Sequence, residues 1–91
     1  MKFYCISDPE SATAFRLLNI HTIEVSNHRQ ASEAFQTLAA GDDVGVILIT
    51  DTATLFIQRD ILSFTRKNTQ PLVLEIPSWK GSASKLKKGK K

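Results

Sequence analysis

The residues with chemistry in them are few, and three carboxylates come first. Asp8 and Glu10 follow a short apolar run, and Asp51 follows another. Carboxylates at two strand ends can hold Mg²⁺, and one of them can accept a phosphoryl group. A nucleotide would instead require a glycine-rich turn that lets backbone N–H groups approach phosphate. The turn here is Ser7-Asp8-Pro9-Glu10: no glycine, a proline without a donor, and two carboxylates that repel phosphate. Cys5 lies inside an apolar run with no histidine motif beside it, which suits a core thiol and not a nucleophile. His21 and His28 are not spaced with carboxylates as zinc ligands would be. Nothing groups the serines and aspartates into an acid–base or triad constellation. The expectation is a chain without catalytic residues, metal or cofactor.

The elements that position these residues alternate. Lys2–Ser7 is aromatic and β-branched and predicts a first strand. Asp8 then offers an N-cap, Pro9 fits the first helical turn and Glu10 complements the helix dipole. Ala12, Phe15 and Leu18 follow at helical spacing, with Leu17 widening the stripe. His21–Val25 predicts a second strand. Asn27 caps a second helix in which Ala31, Ala34, Phe35, Leu38 and Ala39 recur at i, i+3, i+4, i+7 and i+8, stopped by Gly41. Val44–Ile49 is a continuous apolar run of the kind that suits a central parallel strand. Thr50-Asp51-Thr52 offers another cap, with Asp51 at an expected N-cap position. Capping is therefore the favoured reading of both Asp8 and Asp51. Ala53, Phe56, Ile57, Ile61 and Phe64 mark one third helix ending near Arg66 and Lys67. Pro71–Ile76 predicts a fourth strand, closed by Pro77. The order βαβαβαβ implies an α/β domain with a parallel sheet and right-handed crossovers.

Charge divides the chain. Its 91 residues carry a formal net charge of +3, yet six of the twelve basic residues fall in Lys80–Lys91, after every one of the nine acidic residues. Residues 1–79 are thus a mildly acidic α/β domain, and 80–91 are expected to be a flexible Lys-rich tail too poor in apolar residues to order alone. The tail lacks interleaved aromatics, so no specific nucleic-acid partner is expected. One cysteine, no signal-like N-terminus and no apolar run long enough to span a bilayer lead to the expectation of a cytoplasmic protein without direct membrane insertion.

Asp8, Glu10 and Asp51 share the layout of a response-regulator receiver domain, which makes a truncated receiver with Asp51 as phosphoacceptor the alternative reading. Receivers have a fifth strand bearing a lysine, and this chain has four. A closer likeness runs from end to end. Ser7-Asp8, Ala14-Phe15-Arg16-Leu17-Leu18-Asn19-Ile20, Asp43–Thr50 and Pro71–Ser78 resemble, in order and spacing, the F subunit of the prokaryotic V-type (A-type) rotary ATPases. The resemblance covers about residues 1–81. It implies a three-layer Rossmann-like (receiver-like) domain whose four-stranded parallel sheet has order 2-1-3-4.

The same resemblance implies a non-catalytic, cofactor-free rotor component of the central stalk. Such a component docks on the coiled-coil D subunit inside the head formed by the A and B subunits. It is cytoplasmic, peripheral to the membrane, and supports coupling of ATP hydrolysis or synthesis to ion transport. Two departures stand out. Ala14 and Asn19 replace family glycines, and Gly81–Lys91 has only Leu86 as a large apolar residue where the family continues into a C-terminal helix. Candidate interface residues are Phe15 and Arg16 on the first helix, and a second patch of Ile76, Pro77 and Trp79 at the sheet's exit.

Overall fold

The computed structural model describes residues 2–78. Trp79 and the proposed tail at 80–91 lie outside them. The elements are β1 (Lys2–Ser7), α1 (Pro9–Leu17), β2 (His21–Glu24), α2 (His28–Ala39), β3 (Val44–Thr50), α3 (Asp51–Thr54), α4 (Gln58–Lys67) and β4 (Leu72–Ile76). All three strand pairings are parallel, and the order across the sheet is β2-β1-β3-β4. The chain steps outward from β1 to β2, then returns over β1 to β3 and on to β4. With right-handed crossovers, the first connection falls on one face and the other two on the opposite face.

The three layers are therefore unequal. On the face shared by α2 and α4, Ile6, Ile47 and Ile49 pack with Val25, Ala31, Ala34, Phe35, Leu38, Ala53 and Ile57. Phe35 of α2 meets Phe64 of α4 edge to face, ring centroids 5.4 Å apart. On the other face stand two rows set by the register, Phe3–Val46–Leu72 and Cys5–Leu48–Leu74. Among the described residues only α1 lies over that face, and it packs on β1 and β2.

Local signals behave as physical chemistry requires. The Ser11 N–H donates to Asp8 Oδ2 at 3.0 Å and the Gln30 N–H to Asn27 Oδ1 at 2.9 Å, so two of the three expected N-caps form. The α1 exit is a Schellman turn. Asn19 has φ 67°, its N–H reaches Arg16 O, and the Ile20 N–H reaches Phe15 O.

Three expectations need correction. The single third helix is two, because Phe56 and Ile57 N–H bond back only three residues, to Ala53 and Thr54. Ile57, at φ −136°, drives its side chain into the core instead of continuing the helix. The cap of α3 is Thr50, not Asp51, which sits one residue inside the helix. Gly41 adopts no left-handed conformation; α2 ends at Ala40 in a right-handed one. Glycine is needed there because a Cβ would stand 2.9 Å from Val44 Cγ2.

Candidate functional site

The carboxyl ends of the strands, where a fold of this type binds ligands, are occupied by structural hydrogen bonds. Thr52 Oγ1 donates to Asp8 Oδ1 at 2.7 Å, which fastens the start of α3 to the end of β1. Ser7 Oγ donates to the Asp8 carbonyl at 2.8 Å. Burial alone would raise the Asp8 carboxyl. The hydrogen bonds from Thr52 and Ser11 outweigh it and hold the group below its ordinary 3.8. Asp51 Oδ1 accepts the Ser78 N–H at 3.1 Å, which ties the chain leaving β4 to the start of α3. Both aspartates thus work as fasteners between elements distant in sequence.

The other titratable candidates are also engaged. Cys5 is fully buried on the α1 side of β1, and burial, aided by the Asp8 carboxylate, pushes its thiol up to about 12. A thiol held protonated in this way is inert. His21 stacks on Tyr4, ring centroids 5.4 Å apart. His28 Nδ1 lies 2.7 Å from the Phe56 carbonyl oxygen. That oxygen can only accept, so Nδ1 carries the proton, and the histidine braces the break between α3 and α4.

The interface candidates regroup. Phe15 from α1 and Ile76 and Pro77 from the exit of β4, which the sequence presents as two patches, line one cleft of about 480 Å³. Ser11, Ala14, Leu18 and Ser78 complete its wall. The Asp51–Ser78 bond therefore fixes one side of the cleft. Arg16 does not join it. Its guanidinium turns to the outer strand, with Nη2 donating to Thr22 O at 3.4 Å and Nη1 3.5 Å from Glu24 Oε1. Trp79 lies outside the described residues.

Beyond the cleft, no helix among the described residues lies over the α1 side of β4: Val46 of β3 is buried and Leu48 half-buried, while the apolar residues around them stay exposed. Phe3 is 54% exposed, Leu72 51%, Leu74 43% and Leu18 69%. Leu17, at 82%, stands on the outer side of α1. Sequence reasoning counts Leu17 and Leu18 with the core stripe and does not single out Phe3, Leu72 or Leu74. A signal is present: three crossovers over a sheet of order 2-1-3-4 put one helix on one face and the rest on the other. Leu72, Leu74 and Ile76 alternate toward the poorer face.

Comparisons with known proteins bear on what such a face serves. Residues 4–90 match the family model described as ATP synthase (F/14-kDa) subunit. The chain belongs to the ATP synthase (F/14-kDa) subunit family. Among its relatives, the A-type ATP synthase F subunit of Thermococcus gammatolerans is 29% identical over 87 residues, covering 90% of this chain and 79% of the relative. The A-type ATP synthase F subunit of Methanocaldococcus jannaschii is also 29% identical over 87 residues, covering 94% of this chain and 84% of the relative. The crystal structure of the V-type ATP synthase F subunit from Archaeoglobus fulgidus shares the fold, with a TM-score of 0.66 and 20% identity over 82% of this chain and 95% of that one. The family match extends across most of the Lys-rich stretch. Among the described residues, no helix is long and apolar enough to cross a membrane.

Proposed function

We propose that this chain is a non-catalytic central-stalk component of a V-type (A-type) ATPase or ATP synthase. In that role it docks on the coiled-coil D subunit through the apolar face beside α1. Family membership supports the assignment to the enzyme complex. The exposed apolar residues Phe3, Leu18, Leu72 and Leu74, beside the cleft at Phe15, Ile76 and Pro77, are the observation that carries the docking reading.

The chemistry of that face suits a helical partner. A soluble monomer has little reason to keep Phe3, Leu18, Leu72 and Leu74 on one side, since contiguous apolar patches of this kind mark interaction sites. A helix laid beside α1 would fill the missing outer layer over β3 and β4. Burying one exposed leucine stabilises by roughly 1.5–3 kcal/mol when the contact is complete, so a few such residues can hold the chain in place. Pinned by Asp8–Thr52 and Asp51–Ser78, the strand ends give the cleft fixed walls, which suits a part carried round with a rotating shaft. Chemistry then belongs to the A and B subunits of the head, and this chain supports coupling to ion transport through its position in the soluble, cytoplasmic sector peripheral to the membrane. The acidic body and the Lys-rich segment at 80–91 remain separate parts in this reading, with docking assigned to the body.

Co-expression of this chain with the D subunit of its own enzyme tests the proposal. The two should co-purify as a one-to-one complex through size exclusion. Separate elution of two folded proteins would overturn it.

A further inference from the structure

We infer that the outer face of α4 is a second docking surface, built to take an acidic amphipathic helix of another protein. The body's cations are unevenly disposed. Lys2 pairs with Asp43, Arg16 with Glu24 and Arg29 with Glu33, each at 3.5 Å. The remaining three, Arg59, Arg66 and Lys67, all belong to α4, and none makes an ion pair among the described residues. A body whose acids outnumber its bases nine to six in residues 1–79 has thus left three cations unneutralised in one place.

Their spacing puts them on one side of the helix. Arg59, Leu62, Ser63, Arg66 and Lys67 are all exposed and together line a shallow hollow. Ile61 and Phe64, on the opposite side, pack against the core. Asp60, the carboxylate on the same helix, turns to α2, where Ser32 Oγ donates to it at 3.2 Å. Leu62 lies between the two arginines and is 57% exposed. Leu62 gives the cationic face an apolar centre that an amphipathic partner can cover.

The geometry states what fits. Arg59 and Arg66 are seven residues apart, about 10 Å along the axis at 1.5 Å per residue. Guanidinium groups bind carboxylates as planar forks. The matching partner is a helix with carboxylates at i and i+7 and apolar side chains at i+3 and i+4 to cover Leu62. This surface lies across the sheet from the cleft described above, so it does not depend on the stalk reading, and the two can fail separately.

The probe is a synthetic helical peptide with Glu at i and i+7 and Leu at i+3 and i+4, compared with a scrambled peptide of the same composition. Binding to the full chain is read by fluorescence anisotropy at two salt concentrations. The designed peptide should bind more tightly than the scrambled one and weaken with salt. R59E/R66E should lose roughly tenfold or more, because two like-charge contacts replace two surface ion pairs. L62A should also weaken binding without changing the charge. Should the double reversal lower thermal stability, R59Q/R66Q replaces it. Equal binding of both peptides, or affinity untouched by the α4 substitutions, would overturn the inference, since attraction to the Lys-rich segment then suffices. A short DNA duplex that binds as tightly and loses affinity in parallel with the α4 variants would also overturn it, in favour of a phosphate surface.

Discussion

Removing the Asp8 carboxylate should cost this domain about 2 kcal/mol, from two separable sources. Loss of the N-cap to the Ser11 N–H is worth about 1 kcal/mol. The Thr52 Oγ1–Asp8 Oδ1 bond, at 2.7 Å, is charge-assisted. Such bonds contribute about 1.5–3 kcal/mol when sheltered, and partial exposure of Asp8 reduces this to about 1 kcal/mol. Thr52 is not orphaned by the change, because its Oγ1 also lies 3.3 Å from Thr50 Oγ1. For a domain of this size the total corresponds to a fall in Tm of about 8–16 °C.

Urea unfolding followed by circular dichroism should show the effect, with a double-mutant cycle to Thr52→Ala. D8A and T52A should couple by about 1 kcal/mol. The pH dependence has a defined sign. The folded Asp8 pKa lies below its ordinary 3.8, so the carboxylate's stabilisation is full above that value and is lost as pH falls through the folded one. D8N keeps a cap but no charge. Its deficit against the wild type should be present at neutral pH and close in acid well below 3.8. Strict additivity of D8A and T52A, or a D8N deficit that persists unchanged in strong acid, would refute the clasp.

Three further outcomes follow from single residues. Asn19→Gly should stabilise the chain by up to about 1 kcal/mol, because φ 67° suits glycine better, while Asn19→Val should destabilise it; chemical denaturation reads both. Gly41→Ala should cost about 1 kcal/mol through the 2.9 Å approach to Val44 Cγ2, with Val44→Ala relieving part of that cost in the double variant. Cys5, fully buried with its thiol pushed up to about 12, should resist alkylation at neutral pH and become labelled only at the rate of unfolding; prompt labelling of the native chain would contradict its placement.

Much of the fold is written in local signals. Asp8-Pro9 and Asn27 announce their helices because a side-chain cap is a property of a few adjacent residues. The Ala31–Ala39 stripe is equally local. Helix periodicity cannot reveal the break at Phe56–Ile57, since apolar residues that end a helix to fill a core fall at the same spacing as those that continue it. The site is legible in its parts and not in its assembly. Phe15 and Ile76-Pro77 are 61 residues apart in sequence, and they share a cleft only because β4 pairs beside β3 and Asp51 holds the Ser78 N–H at its exit. Arg16 shows the converse, a neighbour of Phe15 in sequence that points to Glu24 across the outer strand. Leu18 and Leu74 look like core by type, and only the uneven distribution of helices over the sheet exposes them.

The central claim is that the exposed apolar face beside α1 takes the coiled-coil stalk. It is tested most directly by the Kd for the cognate D subunit measured side by side for the wild type, L18D, L74D and L62D. All three leucines are exposed in the isolated chain, so the variants should remain folded, as circular dichroism would verify. L18D and L74D should each weaken binding at least tenfold, about 1.4 kcal/mol, while L62D on the far side leaves it unchanged. Unaltered binding by L18D and L74D, or loss confined to L62D, would contradict the claim.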